Sequence, residues 1–176
     1  LLNADLLGDR QKPTEPSFFN MLRGQVKAGS VLAHPVAYPL TTIEPGIAHG
    51  RLLGGNLSMI AATMGTPYEI DAEGVILFIE DINEPLYRID RLLTHLRLAG
   101  TLGKLRGVLV GDVAGVDVPA LERLLKQTFE PLRIPVLSGW RSGHCDPNLT
   151  LPMGALVRLD AGSKELMLEQ DVVIRP

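Results

Sequence analysis

An unbroken apolar run, VILFI at residues 75–79, constrains the fold of this chain more than any other feature. The run has the length of a strand and no polar position, which is typical of a strand buried on both faces of a sheet. It ends abruptly in Glu80 and Asp81, just before a predicted helix. The sequence therefore predicts a core strand that finishes in two adjacent carboxylates.

Strands and helices alternate in the chain after this run. Apolar spacing and turn residues predict, in order, a helix at 85–98, a strand at 107–113, a helix at 119–129, a strand at 134–137, and a hairpin of strands at 155–159 and 165–174. Asn83 or Glu84 is expected to cap the first of these helices. This order of elements predicts an α/β core with antiparallel additions.

The segment before the apolar run is less regular. A short amphipathic helix is predicted at 17–22, and the frequent prolines and glycines of residues 25–50 predict a linker. A second helix is predicted from Leu57, with Asn56 as its N-cap and Gly65 just beyond its end. The stretch GRLLGGN at 50–56 superficially resembles a phosphate-binding loop. It lacks the Walker lysine and the GxGxxG spacing, so a tight turn capped by Asn56 is the preferred interpretation.

Composition argues against several classes of function. The chain has 176 residues and a net charge of −3, and it shows no basic patch with interleaved aromatic residues, so nucleic-acid binding is not expected. Its apolar runs are too short to cross a bilayer. A single cysteine, Cys145, excludes a disulfide framework and is compatible with a reducing compartment. The four histidines show no HxH or HExxH spacing, so we expect neither a metal nor a cofactor.

Glu80 and Asp81 stand where functional groups gather in parallel α/β sheets, at the carboxyl end of a strand. Adjacent side chains of an extended strand point to opposite faces, so the two acids are not expected to form an acid/base pair. One of them is expected to face a cleft and the other to cap the following helix. The alternative interpretation is that both carboxylates belong to a strand–helix turn and favour the positive helix N-terminus.

His144 lies in a second promising place, the long GWRSGHCDPN loop after the last predicted strand of the core. Histidine is a residue type suited to proton transfer, although an exposed loop histidine without a role is an equal alternative. Cys145 is disfavoured as a thiolate partner because adjacent side chains diverge. With Glu80, His144 supplies the base and the orienting carboxylate of a catalytic relay. No Gly-x-Ser-x-Gly motif supplies a nucleophile.

Three motifs together resemble one known family. GRLLGGNLSMIAATMGTPY at 50–68, EGVILFIEDINEPLYRIDRLLTHLRLAG at 73–100 and GHCDPNLTLPMG at 143–154 resemble the C-terminal domain of LD-carboxypeptidases, serine peptidases that include the microcin C immunity peptidases. The resemblance implies a C-terminal α/β domain at 51–176 with a mixed, barrel-like sheet. Residues 1–24 would then be the tail of a flavodoxin-like N-terminal domain that is mostly missing, and residues 25–50 the linker.

The resemblance also implies a mechanism and a setting. The family uses a Ser-Glu-His triad, whose glutamate falls on Glu80 and whose histidine falls on His144, while the serine would precede this chain. Ser142 stands where an aromatic residue commonly precedes the Gly-His pair. The implied reaction removes a terminal D-alanine from L,D-linked murein tetrapeptides in the cytoplasm, usually by a homodimer. The alternatives are a microcin-type immunity peptidase and, for this chain alone, an inactive binding or dimerisation fragment.

Overall fold

A computed structural model describes residues 13–173 of the chain. Its helices are α1 (Thr14–Leu22), α2 (Leu57–Ala62), α3 (Leu86–Leu98) and α4 (Val118–Phe129), with short 3₁₀ turns at Leu102–Lys104 and Glu130–Leu132. Its strands are β1 (Thr41–Glu44), β2 (Ile47–Asn56), β3 (Val75–Ile82), β4 (Gly107–Ala114), β5 (Val136–Ser138), β6 (Leu156–Asp160) and β7 (Glu165–Leu168). No helix among the described residues is long and apolar enough to cross a membrane.

The seven strands form one mixed sheet in the order β1-β5-β4-β3-β2-β6-β7, curled into a half-barrel. The four central strands, β5, β4, β3 and β2, run parallel to one another, and β1, β6 and β7 add antiparallel edges. This confirms the predicted mixed α/β fold. Because parallel strands end together, the residues that follow β2, β3, β4 and β5 meet at one edge of the sheet.

Alternating side chains of β3 build a core on each face of the sheet. Val75, Leu77 and Ile79 pack into one cluster with the buried faces of α2, α3 and α4. Ile76 and Phe78 pack into a second cluster, inside the curl of the sheet. The strand is therefore buried on both faces, as the apolar run predicts, and this parity determines which face each terminal carboxylate will reach.

The helices follow the predicted apolar spacing, but one predicted cap is wrong. The Asn56 side chain accepts a hydrogen bond from the Met59 amide and caps α2, as predicted. The side chains of Asn83 and Glu84 do not cap α3, whose N-cap residue Pro85 makes no side-chain capping bond. Asn83 instead adopts a left-handed conformation with φ of 59°, which turns the chain from β3 toward the helix.

The segment 25–50 contains sheet strands where a linker was predicted. β1 pairs with β5 at one edge of the sheet, and β2 lies in its interior, between β3 and β6. Gly50 explains why composition misled: a Cβ there would lie 2.4 Å from the Gly74 carbonyl oxygen, so the close approach of β2 to the residue before β3 requires glycine. The glycines of β2 therefore serve strand packing. The position of the boundary between domains stays a prediction.

The predicted hairpin is present but shorter than expected. β6 and β7 pair antiparallel, with Leu159 opposite Leu166, across a turn at residues 161–164. β7 ends at Leu168, whereas the predicted strand runs to Ile174, which lies outside the described residues. Residues 1–12 of the predicted N-terminal remnant also lie outside them.

Candidate active site

Glu80 and His144 meet at the carboxyl edge of the sheet. His144 Nδ1 lies 2.7 Å from Glu80 Oε2, although 64 residues separate them in the chain. Glu80 is buried, with 6% of its side chain exposed, whereas 28% of the His144 side chain is exposed. A carboxylate on Nδ1 fixes the ring and its tautomer, and it leaves Nε2 as the nitrogen available for proton transfer.

Asp81 points to the opposite face, as the strand parity predicts. Its carboxylate accepts hydrogen bonds from the Ser58 backbone amide at 2.9 Å and from the Ser58 hydroxyl at 2.8 Å. A third hydrogen bond comes from the Asn56 side-chain amide at 3.0 Å. Asp81 therefore holds the N-terminus of α2, which precedes β3 in the chain. The expectation that one acid caps the following helix is wrong in this respect.

Glycines allow the loop that carries His144 to approach the sheet. β4 contains a bulge where its pairing with β3 shifts register, between Ile79 and Asp81. A Cβ on Gly111, within this bulge, would lie 2.5 Å from the Ser142 carbonyl oxygen. The same carbonyl accepts a hydrogen bond from the Asp112 amide at 3.0 Å. The bulge thus ties residue 142 to the end of β4 and directs the next two residues toward Glu80.

Gly143 is the glycine that directly contacts the Glu80–His144 pair. It has φ of +117°, and a Cβ there would lie 2.8 Å from Glu80 Oε2 and 2.9 Å from Glu80 Cβ and Cγ. Glu80 could avoid the added methyl group only by leaving its position under the imidazole. Position 143 therefore requires glycine, because the Glu80 side chain occupies the space that a Cβ of residue 143 would need.

Gly143→Ala is expected to lower the turnover of the intact enzyme by about 100-fold, because displacing a catalytic group by an ångström has an effect of that order. Gly162→Ala is the matched control, since its Cβ would make only ordinary contact, at 3.5 Å from Asp160 Oδ1. Steady-state kinetics of both variants give the comparison. Turnover of Gly143→Ala equal to that of Gly162→Ala would contradict the assigned geometry.

A second carboxylate and a guanidinium lie beside the pair. Arg141 Nη1 is 3.2 Å from Asp112 Oδ1, and Arg141 Nη2 donates to the Asp146 carbonyl oxygen at 2.8 Å. The guanidinium also lies over the Tyr38 ring, 4.5 Å from its centroid. Burial raises the pKa of the Asp112 carboxyl, while the charges of Arg141 and His144 act in the opposite direction. Arg141 thus links both ends of the histidine loop to the end of β4.

The described serines considered as nucleophiles have other hydrogen-bond partners. The Ser142 hydroxyl is buried and donates to the Leu149 carbonyl oxygen, and the Ser58 hydroxyl donates to Asp81. Ser17 Oγ accepts from the Thr150 amide. The Cys145 thiol donates to the Pro147 carbonyl oxygen at 3.3 Å. Between residues 13 and 173, no group of three or more His, Cys, Asp or Glu could hold a metal ion.

The pair opens onto a cleft of about 610 Å³, within the range of small-molecule sites. Its walls combine backbone and side chains from the ends of β2 and β3 with the histidine loop, namely Gly55, Asn56, Phe78, Ile82, Asn148 and Leu151. Two methionines on its rim, Met59 and Met153, are 63% and 45% exposed. The cleft therefore surrounds His144, the more exposed residue of the Glu80–His144 pair, with a partly apolar surface.

Sequence patterns missed the contacts that hold the loop. The bulge at Gly111 and the Arg141–Asp112 pair join residues about 30 positions apart, and neither follows from local spacing. Thr14 and Ser17 of α1 bind loop amides from more than 130 positions away. His95 is exposed on α3, and His49 pairs with Glu169 at 2.7 Å on the surface.

Comparison with known proteins places this fold and cleft in one family. The profile of the LD-carboxypeptidase C-terminal domain matches residues 49–159. A probable murein peptide carboxypeptidase of Bacillus subtilis (strain 168) is 41% identical over 141 residues, which cover 76% of this chain and 44% of the relative. The chain therefore spans less than half the length of this curated relative.

Solved structures give the same result for the fold. The microcin C7 self-immunity protein MccF, in its inactive-mutant apo state, superposes with a TM-score of 0.78 at 25% identity, over 91% of this chain and 56% of that chain. Muramoyltetrapeptide carboxypeptidase from Oxalobacter formigenes superposes with a TM-score of 0.72 at 26% identity, over 96% and 58%. This chain belongs to the LD-carboxypeptidase family, and it carries that family's C-terminal domain.

Proposed function

We propose that this chain supplies the histidine and the orienting carboxylate of a serine carboxypeptidase that removes a terminal D-amino acid from L,D-linked murein tetrapeptides. The single observation that carries the proposal is the 2.7 Å contact of His144 Nδ1 with Glu80 Oε2 at the bottom of an open cleft. In this arrangement His144 Nε2 takes the proton from the attacking hydroxyl and later returns it to the leaving amine. Glu80 stabilises the imidazolium that forms in between.

The nucleophile is proposed to come from the N-terminal domain of the longer enzyme. The serines at 17, 58 and 142 are occupied by other partners, and His144 lines an open cleft with 28% of its side chain exposed. A flavodoxin-like domain ahead of residue 24 would bring the serine and the oxyanion donors to this open side. Residues 1–176 alone are accordingly expected to be inactive as a peptidase.

The names of the relatives support a murein peptide as the substrate, since the Bacillus subtilis relative is described as a probable murein peptide carboxypeptidase. A reaction in murein recycling would place the enzyme in the cytoplasm, and the family resemblance supports a homodimer. A microcin-type immunity peptidase is the second candidate, because MccF superposes with a higher TM-score than the Oxalobacter formigenes enzyme. The apolar rim formed by Met59 and Met153 is compatible with either a peptide or a nucleotide base.

An assay of the intact enzyme with two tetrapeptides tests the proposal. The peptides differ only in the configuration of the terminal alanine, and release of alanine is followed by chromatography. We expect release of D-alanine from the L,D-linked peptide and none from its L,L diastereomer. An aminoacyl sulfamoyl nucleotide serves as the third substrate. Preferential cleavage of that compound would support the immunity peptidase, and no cleavage of any substrate would reject peptidase activity.

A further inference from the structure

Helix α1 binds the histidine loop through two hydroxyl groups on one face. Thr14 Oγ1 accepts a hydrogen bond from the Asn148 amide, and Ser17 Oγ accepts one from the Thr150 amide, each at 2.9 Å. Thr14 is buried, with 6% of its surface exposed. Residues three positions apart lie on the same side of a helix, so the two acceptors meet two amides of the same loop segment.

These bonds lead to His144 by a short path. The Asn148 side-chain oxygen accepts from the Gly143 amide at 3.2 Å, and Gly143 packs directly against Glu80. Thr14 therefore fixes the backbone of Asn148, whose side chain fixes the residue before the imidazole. The residues from 139 to 155 form no helix or strand, so the loop depends on such bonds for its position.

α1 is itself anchored to the core, which allows it to serve as a support. Met21 is 7% exposed and packs in the same cluster as Leu32 and Trp140, the residue that begins the buried part of the loop. Gly24, at the end of the helix, lies so close to Val173 that a Cβ there would be 3.3 Å from the Val173 Cβ. The helix thus contacts the sheet side of the domain and the histidine loop at once.

We propose that Thr14 and Ser17 are positioning residues for His144, so that the geometry of the catalytic pair depends on helix α1; their importance for turnover rests on the proposed function. A catalytic group has to be held within about 0.5 Å of its productive place, and a loop without secondary structure achieves this only through bonds to rigid elements. Because α1 lies in the segment predicted to be the tail of the N-terminal domain, the same bonds couple that segment to the histidine.

The test uses the 176-residue chain and nuclear magnetic resonance, and it requires no activity. The His144 Nδ1 proton bonded to Glu80 gives its own resonance, and its exchange with water reports opening of the loop. In the Thr14→Val/Ser17→Ala double variant we expect this exchange to accelerate about tenfold, because two hydrogen bonds that close the loop are lost. Thr14→Ser keeps the hydroxyl that accepts from the Asn148 amide, so in this single variant the His144 Nδ1 proton is expected to exchange as slowly as in the parent chain.

Two comparisons separate positioning from general loosening. Thr128→Val is the matched control, since Thr128 Oγ1 donates to the Leu124 carbonyl of its own helix, away from the histidine loop. The backbone amides of β4 serve as an internal reference and are expected to exchange at unchanged rates. The proposal is overturned if the His144 Nδ1 proton exchanges no faster in the double variant than in Thr128→Val. It is also overturned if the β4 amides of the double variant exchange faster by the same factor as His144. Should the double variant fail to fold, Thr14→Val alone decides by the same readout.

The kinetic measurement on the intact enzyme is kept separate from this result. Faster Nδ1 exchange in a protein without peptidase activity supports the positioning role and rejects only the proposed function. Where the enzyme is active, the double variant is expected to lose about tenfold in kcat with KM little changed, since the pair acts in the transition state. Unchanged kcat together with unchanged exchange would reject the role of α1 completely.

Discussion

His144→Ala in the intact enzyme is expected to lower kcat by about 1,000-fold or more, as loss of the base does in other triads. Glu80→Gln should give a loss of similar order. It keeps the size of the side chain but removes the charge that stabilises the imidazolium 2.7 Å away. The measurement is steady-state release of D-alanine by each purified variant.

Glu73→Gln is the matched control for the loss of a carboxylate. Glu73 is exposed just before the amino end of β3, whereas Glu80 lies buried near its carboxyl end, so both changes neutralise one acid of the same segment. We expect turnover of Glu73→Gln to equal that of the parent enzyme. Turnover near the parent value in either His144→Ala or Glu80→Gln would remove both residues from the mechanism.

The combination of the two changes gives a further test of the pair. Residues that act as a unit have strongly non-additive effects, because the second change removes a group that no longer has a partner. The Glu80→Gln/His144→Ala double variant should therefore be about as active as His144→Ala alone. If the fold-loss in kcat of the double variant instead equals the product of the two single fold-losses, Glu80 and His144 act independently.

Part of this site could be predicted from the sequence because strand parity is a local property. The run at 75–79 predicts a strand buried on both faces, and the period of two then sends Glu80 and Asp81 to opposite sides. The structure confirms both points. The meeting of Glu80 with His144 has no such local basis, since a loop of unknown path separates β5 from the histidine. Their pairing was predicted from chemistry, as a base and its orienting carboxylate at the carboxyl ends of two strands, and from the resemblance to a family.

The errors have a common physical origin in contacts between distant segments. Residues 25–50 contain the prolines and glycines of a linker, yet Gly50 is required by the Gly74 carbonyl beside it, just before the neighbouring strand. One of the two acids was expected to cap α3, which follows them, whereas Asp81 binds Ser58, 23 positions earlier. In each case a contact with a segment distant in the sequence determined the structure.

Asp81→Ala is expected to reduce the free energy of unfolding by about 3 kcal/mol, because a charged acceptor is lost and its partly buried donors are left without that partner. Asp81 is 2% exposed and receives hydrogen bonds from both the amide and the hydroxyl of Ser58 and from the Asn56 side chain. The free energy comes from urea unfolding of the 176-residue chain, followed by circular dichroism.

Asp90→Ala provides the control, since Asp90 is an exposed acid on α3, and its loss is expected to change stability by less than about 0.5 kcal/mol. Ser58→Ala removes one of the donor groups and keeps the carboxylate, so it should fall between the two. Equal stability of Asp81→Ala and Asp90→Ala would show that the Asp81 contacts do not hold α2 to β3. Glu80→Gln and Asp81→Ala together separate the roles of two adjacent acids of one strand. The loss of the Glu80 charge is expected to lower turnover, and the loss of the Asp81 carboxylate is expected to lower stability.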